Sequence, residues 1–413
     1  MRRPAVSFTT AMKKVAPILQ DVQENGDAAL KKYTALFDGA RLENLSVSQQ
    51  EFSAAPKLVS GGLESALHIA KNNIEAFHAP QLEKVRKIET MPGVECWRKS
   101  VPVEKVGLYI PGGSAPLFST LLMLGVPAKI AGCEKIVVCT PPDESGKIHP
   151  AVLFAAQLLD IHSVYKTGGA QAIAAMAYGT ESIPQVDKIF GPGNQFVTAA
   201  KMLVQQEGVA IDLPAGPSEL AIVADHAANP AFVAADLISQ AEHGEDSQVM
   251  LVSLDEQVAQ NVLIELEKQL TDLPRKRIAE QALANSKIIL LQNAEEAIDF
   301  INAYAPEHLI LAANDVNWFA ERVENAGSVF LGNYAPESAG DYASGTNHAL
   351  PTSGFARSFS GVSIDSFVKK ITFQQLTPLG VKNLGGTVEA LAEAEGLIGH
   401  KRAMTVRLES LEE

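Results

Sequence analysis

A chain of 413 residues, 46% hydrophobic and 20% charged, is long enough for two or three domains around a large buried core. Its net charge of −14, without basic clusters, repels phosphate backbones and argues against nucleic acid as a partner. No run reaches the roughly 18 apolar residues of a membrane span, so no membrane partner is expected. Cys96, Cys133 and Cys139 form no CxxC, which suits a reducing cytosol better than a disulfide framework. The basic N-terminus leads into no apolar leader, and a cytoplasmic protein is expected. Cys96 and Cys133 have no acid–base partner nearby in sequence and are read as inert thiols.

In chain order, residues 10–78 read as helical, with Gly26 as a stop and Asp27 as the next cap. The texture changes at about residue 103, where short β-branched runs begin to alternate with helical stretches. "VEKVGLYI" leads into Pro111-Gly112-Gly113, "KIVVCT" into Pro141-Pro142, and "HSVYKT" into Gly168-Gly169. "VDKIF" leads into "GPGN", and "VAIDL" into "PAGPSE" and then "LAIVAD". Strand, Gly-rich turn and helix in repetition predict a parallel sheet with helices on its faces. Ligands in such sheets bind at the carboxyl ends of the strands. A second α/β run follows: helix 230–243, strand "QVMLVSL", helix 255–271, "SKIILL", helix 293–303, "HLILAA", helix 315–325 and "GSVFLG". Residues 333–363 are aperiodic and rich in Gly, Ser, Thr and Asn; so long a loop is usually functional or disordered. Residues 385–413 read as two helical stretches broken at Gly396 and Gly399.

Some constellations carry chemistry. On helix 230–243, with Asn229 as N-cap, Pro230 in the first turn and Gly244 past the end, Val233, Ala234, Leu237, Ile238 and Ala241 form the buried stripe. Asp236, Gln240 and His243 share one edge of it. Gln240 and His243 can therefore reach one point, as metal ligands or as a polar end where an imidazole faces the last carbonyls. In "APEHL", Glu307 and His308 open a strand. They enter one pocket only if the backbone curls there, and would then make an acid–base pair with one member titrating near neutral pH. "SAGDYASGTNHALPTSG" brings Asp341 and His348, and "EGLIGHKRAM" brings His400. Nitrogen and oxygen donors without thiolate suit a catalytic zinc, but no HExxH fixes the spacing. "GPGN" is half of a GxGxxG, a weak sign of a phosphate cradle, as are "PGG" and "TGGAQA".

The long stretches "GLYIPGGSAPLFSTLLMLGVPAKIAGC", "TGGAQAIAAMAYGTESIPQVDKIFGPGNQFVT", "DLPAGPSE", "DLISQAEHGEDSQV", "PEHL" and "SAGDYASGTNHALPT" resemble histidinol dehydrogenase from about residue 4 to the C-terminus. The resemblance implies an α/β protein with two Rossmann-like parallel-sheet domains, lacking a full GxGxxG, and helical terminal segments. It divides the chain into 1–105 with 221–363 as a domain carrying zinc and acid–base residues, 106–220 as the NAD-binding domain, and 364–413 as a helical dimerisation tail. It implies a homodimer with a shared active site that oxidises L-histidinol to L-histidine through a bound aldehyde, with NAD and one zinc per subunit. Zinc would be held by Gln240, His243, Asp341 and, from the partner chain, His400. Glu307 and His308 would be the acid–base pair. Ser218, His348 and Glu395, with His308 and the zinc ligands, would contact substrate, and Tyr109, Gln171 and Asn194 would contact NAD. Its rivals are a relative acting on another alcohol, a zinc hydrolase using Glu307 as base, and a non-catalytic metal-binding protein.

Overall fold

The structure, a computed structural model, describes residues 3, 8–112, 116–213 and 216–412. Gly113 of the first Gly-rich turn and Pro214-Ala215 of "PAGPSE" lie outside the described residues. The chain forms two compact units, Met1–Gln81 with Val103–Phe367, and Leu82–Pro102 with Val368–Glu413.

The first unit opens with α1 (Phe8–Phe37), α2 (Gln49–Leu58) and α3 (Gly61–His78). The expected break falls inside α1, where Gly26 has φ +50°. Ser48 starts α2 with a full capping box to Glu51. The chain then gives β1 (Lys87–Met91) and β2 (Val94–Pro102) to the second unit and returns as β3 (Lys105–Tyr109). From there strands and helices alternate: α4 (Phe118–Ala131), β4 (Lys135–Thr140), α5 (Pro150–Leu158), β5 (Val164–Lys166), α6 (Gly169–Tyr178), β6 (Lys188–Phe190), α7 (Gln195–Gln206) and β7 (Ala210–Ile211). These strands form a parallel sheet in the order β5-β4-β3-β6-β7.

The N-terminal helices pack on the helices of this sheet. α1 packs on α6 and α7, α2 on α5 and α3 on α4. The reason lies in α6 and α4. Ala170 to Ala177 are all buried, as are Ser119 to Ala128. A helix apolar all round needs cover on the side away from its sheet. The stripe of α1, including Val15, Val22 and Leu30, supplies it for α6.

The second run is β8 (Glu219–Ala224), α8 (Pro230–Ala241), β9 (Gln248–Ser253), α9 (Glu256–Leu270), α10 (Lys276–Ala284), β10 (Lys287–Leu290), α11 (Ala294–Tyr304), β11 (His308–Ala312), α12 (Val316–Ala320) and β12 (Ser328–Leu331). Its sheet is parallel, in the order β10-β9-β8-β11-β12. One apolar cluster joins it to α8, α9 and α10, and another to α11 and α12. Both sheets are therefore doubly wound, and each order reverses once, between β3 and β6 and between β8 and β11. The expected loop 333–363 contains a short helix, α13 (Glu337–Tyr342).

In the second unit a strand precedes the helices of the C-terminal segment. β13 (Val368–Leu376) pairs antiparallel with β2, and β2 with β1, before α14 (Pro378–Ala394) and α15 (Ile398–Glu409) pack on each other. Trp97 of β2 stacks on Phe373 of β13. Among the described residues no helix is long and apolar enough to cross a membrane.

Candidate active site

The acid–base residues gather around the first residue of β8. β11 runs parallel beside β8, with His308 level with Leu220. Before β11 the chain curls through Ala305, which ends α11 in a left-handed conformation, φ +55°. Glu307 and His308 then converge on Glu219. The Glu307 Oε2 accepts from the Glu219 N–H at 2.8 Å, and His308 Nδ1 lies 3.2 Å from the Glu219 carbonyl oxygen. Oε2 and Nδ1 are 3.6 Å apart, and both side chains are buried. The two neighbours thus share one pocket. Glu219 is held in turn by Arg3, whose Nε is 2.6 Å from Oε1 and Nη2 3.0 Å from Oε2.

Two helices bring further donors. α8 is capped by the Asn229 side chain and buries Val233, Ala234, Leu237 and Ile238, so Gln240 falls inside and His243 just past the end. With its amide oriented to satisfy both neighbours, Gln240 donates to Glu337 and accepts from the Glu219 N–H at 3.1 Å. α13 places Glu337 and Asp341 four apart, on one face. His308 Nε2 lies 3.5 Å from Asp341 Oδ1, and Nδ1 3.9 Å from Glu337 Oε1. His348 has both ring nitrogens engaged, Nδ1 with the Asp341 carbonyl at 2.8 Å and Nε2 with the Thr120 hydroxyl at 3.1 Å. It braces the Asp341 segment against α4.

One ligand atom each from His243, Glu337 and Asp341 lies within 4.8 Å of the others. Two ligands about 2.0–2.2 Å from zinc span at most about 4 Å, so small side-chain shifts would bring all three onto one ion. Electrostatics point the same way. Burial pushes Glu307 up to about 8, and burial and the neighbouring acids do the same to Glu337. Burial alone would depress His308, but Glu337, Glu307 and Asp341 outweigh it and push it up to about 10, above the expected near-neutral range. Desolvation depresses His243, although its outer edge is open, and so favours the neutral, ligating imidazole. A divalent cation among these carboxylates would offset their charge and let His308 fall toward its ordinary value.

Of the expected ligands, the structure gathers three and adds a carboxylate beside them. His243 and Asp341 come together, Gln240 lies against them, and Glu337 joins unannounced. Its signal was the Glu-to-Asp spacing in "PESAGD", legible only once a helix is recognised there. Glu395 caps α14, and His400 lies in α15; both are exposed positions of the second unit. Ser218 directly precedes β8, and its carbonyl accepts from the Gln248 N–H. The cluster sits at the amino ends of β8 and β11.

In the first sheet, a cavity of about 1400 Å³ lies where its order reverses, and Tyr109, Gln171 and Asn194 all line it. Tyr109 ends β3, and its hydroxyl accepts from the Gly169 N–H at 3.1 Å. Gln171 is buried in the first turn of α6 with both amide atoms lacking partners. Asn194 caps α7 by accepting from the N–H groups of Phe196 and Val197. In "GPGN", Gly191 has φ +127°, and a Cβ there would run into the Tyr109 carbonyl. A large cavity at a switch point, next to a helix start and holding unsatisfied amide groups, fits a dinucleotide.

A family model described as "Histidinol dehydrogenase" matches residues 1–408. A protein of that name from Bacteroides thetaiotaomicron is 57% identical over 411 residues, covering 100% of this chain and 96% of the relative. One from Bacteroides fragilis is 56% identical over 411 residues, with the same coverage. The crystal structure of histidinol dehydrogenase from Elizabethkingia anophelis superposes with a TM-score of 0.98 at 56% identity, covering 100% of this chain and 95% of that one.

Proposed function

The chain belongs to the histidinol dehydrogenase family, and from that premise we propose how its residues divide the work of the reaction. The enzyme is an NAD-dependent oxidoreductase that takes L-histidinol to L-histidine through a bound aldehyde, with zinc. When bound, zinc supplies a fixed positive charge that orients the substrate, and NAD accepts the hydride in each of the two oxidations.

The tautomer of His308 carries the assignment. With Nδ1–H donating to the Glu219 carbonyl, the neutral ring leaves Nε2 bare, and Nε2 is buried without a hydrogen-bond partner. That nitrogen takes the hydroxyl proton of the alcohol, and later that of the hydrated aldehyde. Glu307, buried beside it, takes a proton from the water that attacks the aldehyde. Gln240, His243, Asp341 and His400 are the proposed zinc ligands, with Glu337 completing the charge balance of the cluster. Ser218, Glu395 and His348 remain the proposed substrate contacts, and the His348 ring also braces the Asp341 segment. The cavity lined by Tyr109, Gln171 and Asn194 is the proposed NAD site.

The test is NADH formed per L-histidinol consumed. Alcohol to acid removes four electrons, so about two NADH are expected. Chelation should abolish both, and zinc should restore them. No NADH from L-histidinol, with turnover of another alcohol, would overturn the substrate assignment.

The site is further proposed to be shared within a homodimer, with His400 and Glu395 serving the partner. The second unit supports this: Leu391, Leu397 and Ile398, around those two residues, are exposed large apolar side chains. His400→Asn and Glu307→Gln subunits should each be inactive alone and regain activity when mixed and allowed to exchange. No recovery despite exchange would place the whole site in one chain. A cytoplasmic location is proposed on the three unpaired thiols, and cell fractionation checks it.

A further inference from the structure

The cavity at the carboxyl edge of the first sheet holds a group that neither the fold nor the chemistry above uses. Asp38 directly follows α1, and its N–H still closes the helix on the Thr34 carbonyl at 3.0 Å. A carboxylate there faces the negative end of the helix dipole. It is half-buried, and its Oδ2 is cut off from solvent with no hydrogen-bond partner. Burial pushes its pKa up to about 6. Each of these features costs the ligand-free fold stability, and among the described residues no contact offsets them. Asp38 nevertheless lines the same cavity as Tyr109, Gln171 and Asn194. Gln171 is buried there with its whole amide unpartnered. Two unsatisfied polar side chains on one cavity wall call for a polar ligand.

The chemistry of the group narrows what it can meet. A carboxylate repels phosphate and pairs with neutral hydroxyl donors. The hydroxyl donors of a dinucleotide are the vicinal hydroxyls of its two riboses, which carboxylates bind in dinucleotide folds generally. In those folds the acid stands at a strand end; here it stands at the end of a helix laid over the sheet. We infer that Asp38 is a further cofactor-binding residue whose carboxylate accepts hydrogen bonds from a ribose of the dinucleotide. The inference rests on the reading that NAD occupies this cavity.

Calorimetric titration of the zinc-loaded enzyme with NAD, without turnover, tests it. Asp38→Ala should raise the Kd for NAD about tenfold or more, as expected for losing a charged hydrogen bond, and Asp38→Asn should raise it less. Zinc content and L-histidinol affinity should not change. AMP and nicotinamide mononucleotide, titrated separately, tell which ribose is held by which of them loses affinity. The melting temperature of ligand-free Asp38→Asn at pH 8 should equal or exceed the parent's, because an unfavourable charge is removed. An unchanged Kd for NAD in Asp38→Ala overturns the inference, as does a lower melting temperature in Asp38→Asn, which would make the carboxylate structural. Gln171→Ala separates the two readings. If it weakens NAD while Asp38→Ala does not, only Asp38 is misassigned; if neither weakens NAD, the cavity itself is not the dinucleotide site.

Discussion

Glu307→Gln should leave oxidation of L-histidinol to the aldehyde within a few-fold of the parent, while slowing oxidation of the aldehyde by about 10²–10⁴. The substitution keeps the shape of the side chain, and its amide oxygen can still accept from the Glu219 N–H that holds Glu307 now. Folding and the position of His308 should therefore survive. What goes is the only function asked of Glu307, taking a proton from water, and the first hydride transfer needs no water. NADH per L-histidinol should fall from about two toward one as aldehyde leaves unoxidised. The pH profile gives a second readout. Burial raises Glu307 to about 8, and a base works in its ionised form, so aldehyde oxidation should increase as pH rises through that pKa. A cation at His243, Glu337 and Asp341 attracts the carboxylate charge, so in the zinc enzyme the rise should lie at or below pH 8. Glu307→Gln should lack the rise. Equal loss in both half-reactions, with the aldehyde supplied directly as a substrate, would sink the assignment.

How far the sequence alone could go depended on the range of the signals. The stripe Val233, Ala234, Leu237 and Ile238, with Asn229 ahead of it, is a local pattern, and α8 formed where it predicts, burying Gln240 and leaving His243 at the end. The Gly-rich turns also marked real strand ends: Gly169 and the Asn194 that closes "GPGN" both line the cavity of the first sheet. Signals that depend on distant partners were not legible. β2 and β13 are separated by more than 260 residues, and most of their side chains are exposed or half-exposed, so neither alternates cleanly. α10 carries only two buried residues, Ala279 and Ala282, and small side chains give a faint stripe.

Glu337 shows the same limit within the site. α13 has six residues, too few for helical periodicity to stand out in a Gly- and Ser-rich stretch, yet that single turn brings Glu337 and Asp341 to one face. The motif resemblance supplied Asp341 because the surrounding residues match, and passed over Glu337. The left-handed turn at Ala305 was likewise invisible, because alanine seldom adopts φ +55° and nothing local in the sequence marks it. Sequence reasoning could say only that Glu307 and His308 would share a pocket if such a curl existed.

His308→Asn should slow both half-reactions by about 10²–10⁴, in contrast to Glu307→Gln. Asparagine is the informative replacement. Its amide N–H can occupy the place of Nδ1–H and keep donating to the Glu219 carbonyl, while nothing replaces Nε2. The loss then isolates the nitrogen that faces Asp341 at 3.5 Å. Each oxidation releases a hydroxyl proton as the hydride departs, first from the alcohol and then from the hydrated aldehyde. One base placed at the reacting carbon serves both, so both rates should fall together and the ratio of NADH to substrate should stay near its parent value. Zinc content should be retained, because the substitution removes none of the proposed ligands Gln240, His243, Asp341 and His400. Measuring zinc alongside both half-reactions separates a missing base from a lost metal. If only the first oxidation slowed, a second base would have to act on the hydrated aldehyde, and Glu307, 3.6 Å from the ring in the present enzyme, would be the residue to carry it.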